Sequence, residues 1–244
     1  MAEAYHEDLA YIHDAGFGRF ARSAAPILLG ELRQRGLNNG PVIDLGCGSG
    51  ILAEQVSAAG FDVLGIDLSP ALIALARQRV PRGTFRVESL LTAELPPCIA
   101  VAAVGECLNY LFDERHSWQG VRQVLERAFG ALAPGGLLLF DVAGPGRVPG
   151  PAAHKGYTEG DGWAALVTVE EDQQQGVLTR RITSFRQVGE LYRRDHEVHR
   201  LRLLPRAQVE TALAEIGFQV QTLGGYGPVQ FPPGLVGFLA RRSE

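Results

Sequence analysis

Asp44 and Asp67 bracket the run Gly46-Cys47-Gly48-Ser49-Gly50, in which three glycines alternate with small side chains. Glycine at that density lets backbone amides come closer to a ligand than any side chain would allow. The run follows the apolar stretch Val42–Leu45 and precedes an amphipathic one opening at Ile51, so it reads as a strand-to-helix turn whose amides face a polar or anionic group. A dinucleotide fingerprint, G-x-G-x-x-G, would put its third glycine at Ile51, and a P-loop would need lysine then serine or threonine after the last glycine. A pyrophosphate is therefore disfavoured. Asp67 ends the next strand, where a carboxylate can accept both hydroxyls of a ribose. Asp44 lies inside the first strand, costly for a carboxylate unless loop amides or a cation satisfy it. Together these residues ask for a ribose, an amino-acid carboxylate and an ammonium, without a diphosphate.

The elements that must position them alternate in type. Pro41–Leu45, Asp62–Ile66, Thr84–Val87, Ala100–Val104 and Leu137–Val142 read as buried strands, and Leu52–Ala59, Pro70–Val80 and Trp118–Leu132 as helices between them. Ser69-Pro70 gives an N-cap with proline at the first helical position, and Pro134-Gly135-Gly136 reads as the stop of the third helix. That rhythm predicts a doubly wound, mostly parallel sheet of Rossmann-like type. Tyr5–Ala15 and Arg19–Arg35 read as N-terminal helices, with Pro26 a possible break in the second. After Gly144 comes a Pro/Gly-rich loop. Trp163–Glu170, Val177–Gln187 and Leu191–Leu204 then alternate apolar and polar residues as an antiparallel meander inserted into the sheet domain. Pro205–Ile216 reads as a helix, and Phe218–Leu223 and Leu235–Arg241 as two closing strands.

The chain has 244 residues, 46% hydrophobic and 20% charged, which suits one α/β domain with a full core. A formal net charge of −4 argues against a nucleic-acid or anionic-membrane surface as main partner. Cys47, Cys98 and Cys107 have neither disulfide nor zinc spacing and fit a reducing compartment, so no metal is expected. The acidic, polar N-terminal stretch does not read as a secretory signal, and no apolar run is long enough to span a bilayer; a cytoplasmic protein is expected.

At this point the sequence resembles the class I S-adenosylmethionine-dependent methyltransferases, in their small-molecule branch. "VIDLGCGSG" matches the family's first motif, "GIDLSP" its acidic second-strand motif, "ALAPGGLLLFDV" the helix–turn–strand ending its core, and "LPRAQVETALAEIGFQV" a helix and sixth strand. The resemblance covers most of the chain. It implies one domain over residues 1–244: a helical cover (1–39), a cofactor core of a seven-stranded sheet (40–144), a loop and antiparallel insertion over the acceptor (145–204), and a closing helix and strands (205–244). It implies S-adenosyl-L-methionine as cofactor and S-adenosyl-L-homocysteine as product. Gly46, Cys47, Gly48, Ser49 and Gly50 would wrap the methionine part, with Asp44 anchoring its ammonium through the loop. Asp67 would take the ribose and Leu68 lie against the adenine, which Ser89 and Leu90 would flank. Many relatives carry aspartate where Ser89 stands. Gly105, Glu106 and Cys107 would meet the methionine chain and open onto the acceptor.

Methyl transfer from a sulfonium is an in-line displacement that needs alignment, desolvation and, for some acceptors, a base. Several acceptors are disfavoured by what is missing. The site of the [DNS]-P-P-[YFW] motif of base amino-methylation reads "GECLNY", and Pro97-Cys98 precedes the fourth strand instead of following it. Val142 stands where a metal-dependent enzyme would pair Asp141 with an amide, and Glu106 with Glu114 has the wrong spacing for a protein arginine methyltransferase. A small molecule methylated on nitrogen or oxygen remains, with no nucleic acid or membrane partner, in a monomer or homodimer. Tyr5, Tyr11, His13, Phe17, Arg19, Arg22, His154 and Tyr157 would form the acceptor pocket, with Asn109 and Tyr110 as its floor. Tyr11 would close over the sulfonium, and His13 or His154 would take the acceptor's proton. Arg180, Arg181, Arg186, Arg193, Arg194, Arg200, Arg202 and Arg206 have acids nearby, so they read as a salt-bridged sheet face, although some could meet an anionic acceptor. Two other functions stand beside this one: a nicotinamide-dependent oxidoreductase, should a pyrophosphate fit over Ile51, and a non-catalytic cofactor-binding module, should side chains seal the cleft above Gly105–Tyr110.

Overall fold

Val42, Ile43, Asp44 and Leu45 are all buried, the pattern of a strand covered on both faces. In a computed structural model of the chain, which describes residues 5–150 and 152–243, this strand β1 (Val42–Leu45) pairs in parallel with β2 (Val63–Asp67) on one side and β4 (Cys98–Ala103) on the other. Adding β3 (Thr84–Val87), β5 (Leu132–Ala143), β10 (Phe218–Leu223) and β13 (Leu235–Arg242) gives the order β10-β13-β5-β4-β1-β2-β3. Only β13 runs against its neighbours, pairing antiparallel with both β5 and β10. Strand order reverses between β1 and β4, where an open α/β sheet forms its ligand crevice.

The alternation along each strand divides the core. Ile43, Leu45, Val101 and Phe140 pack under α5 (Trp118–Ala131) and α6 (Arg206–Ile216). Val42, Ala100, Ala102 and Leu139 pack under α2 (Arg19–Gln34), α3 (Ile51–Ala58) and α4 (Pro70–Arg79). Ser69 caps α4 as the sequence predicts: its Oγ accepts the Leu72 amide at 3.2 Å and donates to the Tyr5 carbonyl at 3.0 Å. Ser69→Ala is expected to cost about 1 kcal/mol, lowering Tm by about 2–4 °C in a thermal melt.

Three local expectations give way. α2 runs unbroken through Pro26, which has no amide to donate to the Arg22 carbonyl; Gln55 Nε2 of α3 donates to that carbonyl instead, at 3.2 Å. Pro134-Gly135-Gly136 does not stop the third helix. That helix ends at Ala131, and the three residues lie within β5, with Gly135 at φ +75°. The segment read as a loop contains β6 (His154–Gly160), which forms by pairing with β7 (Trp163–Asp172) and carries no buried residue to announce it.

The insertion is a separate antiparallel sheet, β6-β7-β8-β9, with β8 at Val177–Val188 and β9 at Leu191–Arg202. A short hairpin, β11 (Gly225–Tyr226) with β12 (Val229–Gln230), precedes β13. The small sheet is tied to the core through Asn109, whose Nδ2 donates to the carbonyls of Ala143 (2.8 Å) and Arg202 (2.6 Å) while its Oδ1 accepts the Ala143 amide (3.0 Å). The helix α1 (Glu7–Gly16) bridges the two sheets. Asp14 pairs with Arg79 of α4 at 2.7 Å, Asp8 pairs with Arg186 and Arg193, and Glu197 of β9 accepts the amides of Tyr5 (3.1 Å) and His6 (2.9 Å).

Candidate active site

A cavity of about 430 Å³ lies over the switch point, between the carboxyl ends of β1, β2 and β4 below and the small sheet with α1 above. Its floor begins at the glycine loop. The amides of Gly46 and Cys47 donate to the Ile66 carbonyl, at 2.7 and 3.1 Å, which pins the turn to β2. Gly46, at φ +66°, has no room for a side chain, because a Cβ there would lie 2.5 Å from Cys107 Sγ. Gly48 and Gly105 are also left-handed, at φ +53° and +97°, but Cβ atoms there would project into open space. These two glycines line the cavity and keep a cradle free for a ligand. From behind, Arg79 Nη1 donates to the Ser49 carbonyl (2.6 Å) and Oγ (3.1 Å).

Asp67 lines the cavity with its carboxylate already oriented: Oδ2 accepts the Gly48 amide at 2.9 Å and Oδ1 the Ser69 amide at 2.8 Å. Each oxygen keeps a lone pair for a diol. Asp44 sits beneath the same loop, and its buried Oδ2 has no hydrogen-bond partner. Burial, and then the nearby Asp67 charge, push its carboxyl up to about 8. An orphaned buried carboxyl beside an open glycine cradle is complementary to a cation such as an ammonium group. At the far end Ser89 Oγ donates to Asp113 Oδ2 at 2.5 Å, so the hydroxyl that would bond an adenine amine is already engaged. Asp113, itself a cavity residue, supplies the carboxylate near that position from a different loop.

The loop after β4 is held by Asp141 at the end of β5. Its carboxylate accepts the amides of Gly105 (2.8 Å) and Glu106 (2.7 Å) and the Tyr226 hydroxyl (2.9 Å). Glu106 takes φ +61°, a strained conformation for a residue with a side chain, which those bonds enforce. Its buried carboxylate is shared by two guanidiniums, Arg180 Nη2 at 2.6 Å and Arg147 Nε at 3.1 Å. Burial alone would raise its pKa, but the two arginines hold it below the usual range.

The roof follows strand parity: Ala165 and Val167 of β7, Arg180 and Ile182 of β8 and His199 of β9 line the cavity from one sheet face. Arg180 stands directly across from His199. His199 Nε2 lies 2.8 Å from Glu197 Oε2, so that nitrogen carries the proton and Nδ1 is left as an acceptor, buried and without a partner. Tyr5 joins floor and roof, its ring 4.8 Å from that of His199 and 5.0 Å from that of His13, its hydroxyl 3.2 Å from that of Tyr110. Tyr110 stacks on Phe112 at 4.9 Å.

Residues 42–136, the segment carrying this floor, match the family described as a methyltransferase domain. The dTDP-3-amino-3,4,6-trideoxy-alpha-D-glucopyranose N,N-dimethyltransferase of Streptomyces venezuelae is 25% identical over 241 residues, covering 93% of this chain and 95% of that protein. The chain carries a methyltransferase domain. The fold agrees with solved methyltransferases. An S-adenosylmethionine-dependent enzyme of Clostridium acetobutylicum superposes with a TM-score of 0.81 at 15% identity, over 96% of this chain and 98% of that one. CalS10, an amino pentose methyltransferase of Micromonospora echinaspora, gives 0.76 at 21% identity over the whole of both chains.

The cavity gathers Gly46, Cys47, Gly48, Ser49, Asp67, Leu68, Ser89, Leu90, Gly105, Glu106, Cys107 and Tyr110, with Tyr5, His13 and Phe17. Asp44 and Gly50 are not among the lining residues: Asp44 is buried behind the loop, and a Cβ at Gly50 would press on Ala76 at 3.1 Å, so that glycine serves the packing of α3 on α4. Six expected catalytic or acceptor residues lie elsewhere. Tyr11 is half a helical turn from the cavity face that Leu9 and His13 share, and its ring lies under the Arg186 guanidinium at 4.0 Å. His154 and Tyr157 are exposed on the edge strand β6. Arg19 is exposed at the start of α2, as is Arg22 one turn on. Asn109 spends its amide on the tie between the two sheets. His13 does reach the cavity, where burial pushes its pKa down to about 4 and keeps the ring neutral.

The cavity also contains groups that motif reading passed over, among them Phe112, Asp113, Arg147 and His199. The pattern Glu197-x-His199 held a signal, since residues two apart on a strand share a face.

Proposed function

We propose that the chain transfers a methyl group from S-adenosylmethionine to a nitrogen or oxygen of a small molecule, with an amine favoured. The observation that carries this reading is the continuity of one cavity from Asp67 and the glycine loop, past Gly105–Cys107, to the aromatic chamber of Tyr5, Phe17, Tyr110 and Phe112. When bound, the cofactor supplies an activated methyl group on a sulfonium. Asp67 would hold its ribose diol, Gly48 and Gly105 would leave room for its chain, and the Asp44 carboxylate would answer its ammonium. The amine preference is supported by the near-full-length relative from Streptomyces venezuelae, which is an N,N-dimethyltransferase.

At the acceptor end the chain's own residues exclude water and manage a proton. Leu9, Phe17, Ala165, Val167 and Ile182 make the chamber apolar. Such a wall strengthens each polar contact inside it and strips water from the attacking lone pair. Three lining histidines, His13, His116 and His199, have a buried and unpartnered Nδ1, and the two that flank the Tyr5 ring, His13 and His199, can hold the proton the acceptor loses. Glu197 favours His199 for this role, because it fixes the tautomer and would stabilise the imidazolium.

Neither other reading gains support. Ile51 packs into the N-cap of α2, its Cδ1 where it would be 2.3 Å from a Cβ at Gly18, so no berth for a pyrophosphate opens there. Side chains do not seal the cleft above Gly105–Tyr110, which a binding module would require. Calorimetry is expected to give S-adenosylhomocysteine a Kd of about 1–100 μM and NAD no measurable heat. Labelled methyl incorporation from S-adenosylmethionine into small-molecule extracts should follow. NAD binding without any response to S-adenosylhomocysteine would overturn the assignment.

A further inference from the structure

The acceptor end of the cavity has an imbalance of charge. Arg147 and Arg180 are the only arginine or lysine side chains that line the cavity among the described residues. Both are largely buried, with side-chain exposures of 14% and 17%, and both lean on the single carboxylate of Glu106. The other lining acids lie elsewhere: Asp67 is held by the Gly48 and Ser69 amides, Asp113 by Arg115 and Ser89, and Glu88 is half-buried beside the end of β3. Two guanidiniums against one carboxylate leave one positive charge uncompensated in an apolar chamber, a costly state unless an anion completes it.

The donors such an anion needs are free. Arg147 spends Nε on Glu106 and Nη1 on the Pro233 carbonyl at 3.2 Å; Arg180 spends Nη2 on Glu106 and makes a long contact from Nη1 to the Tyr110 hydroxyl at 3.3 Å. Arg147 Nη2 and Arg180 Nε make no hydrogen bond among the described residues. The rigid backbone of Glu106, clamped by Asp141, holds both arginines in place. Arg180 reaches Glu106 from the roof, where it stands across from His199.

We propose that the methyl acceptor carries an oxyanion, a carboxylate or a phosphate, that docks on Arg147 and Arg180 and turns the acceptor's nucleophilic atom toward the Gly105–Cys107 loop. This rests on the methyltransferase reading and names the class of acceptor within it. The competing occupant is the amino-acid carboxylate of the cofactor itself, and the test separates the two.

The protein is saturated with S-adenosylhomocysteine, then titrated with inorganic phosphate and, separately, acetate, while the arginine Nε resonances are followed by nitrogen NMR. Phosphate or acetate is expected to shift the resonances of Arg147 and Arg180 with the nucleoside bound. Arg180→Leu and Arg147→Leu should each weaken the anion at least tenfold and leave the Kd for S-adenosylhomocysteine within threefold. Absence of a shift, or a shift that S-adenosylhomocysteine abolishes, overturns the proposal; so does a tenfold loss of nucleoside affinity in either variant, which would give the arginines to the cofactor. Those outcomes leave the methyltransferase reading standing, whereas that reading fails on its own evidence if the wild-type protein does not bind the nucleoside.

Discussion

Asp67→Ala is expected to weaken S-adenosylhomocysteine binding by at least 100-fold. The carboxylate has two duties. It accepts the amides of Gly48 and Ser69, fixing the glycine loop and the turn into α4, and it keeps lone pairs directed at the cavity. A hydrogen bond to a charged acceptor contributes about 1.5–3 kcal/mol, so losing two toward a diol removes about 3–6 kcal/mol, or 10²–10⁴ in affinity. Loss of the loop bonds would lower stability as well, so calorimetric titration is paired with a thermal melt taken without ligand. Asp67→Asn separates the two duties, since one amide oxygen still accepts while the charge is gone; it should bind about tenfold more weakly than the wild type. If the alanine variant melts normally and binds within threefold of the wild type, Asp67 does not hold the ribose.

That expectation was available from the sequence, and the reason is local. The glycine loop, Asp44 and Asp67 all sit at ends or middles of strands that apolar runs announce, so sequence distance fixes spatial distance there. Strand parity similarly fixed Ile43 and Leu45 to one face and Val42 to the other. The acceptor side depended on contacts that no local pattern encodes. Glu106 meets Arg147, 41 positions away, and Arg180, 74 positions away, because Asn109 and α1 tie the small sheet over the switch point. Tyr11 and His13 show how little separates the cavity from the outside: two positions on a helix turn a side chain by more than half a circle. His154 reads as a base in a loop, but that segment is an exposed edge strand, and the roof of the cavity presents His199 instead, whose partner Glu197 lies on the same strand face. The chemistry of the cofactor half was therefore legible in one dimension, while that of the acceptor half required the tertiary fold.

Asp44 leads to the second large effect, in which stability and binding move in opposite directions. Its carboxyl has an ordinary value of 3.8 when solvated and is pushed up to about 8 in the fold by burial and then by Asp67. Between those values the folded chain holds a proton that the unfolded chain has lost. This group's contribution to stability therefore falls as pH rises from about 4 to about 8, with no penalty below that window and the full penalty above it. Asp44→Asn removes the titration and is expected to raise the Tm of the ligand-free protein, by little at pH 5 and by at least about 2–4 °C, or 1 kcal/mol, at pH 8. The same change removes the carboxylate charge behind the loop that would answer an ammonium, so S-adenosylhomocysteine should bind about 10–100-fold more weakly. A proton balance checks the cause directly. At pH 7 the wild-type carboxyl is largely protonated before binding and ionises against the incoming cation, so calorimetry in buffers of different ionisation enthalpy should show close to one proton released. The asparagine variant should release none from this position. Equal proton release in both proteins, or no gain in Tm at pH 8, would mean that the orphaned oxygen of Asp44 is satisfied by water, and that the ammonium is held by another group.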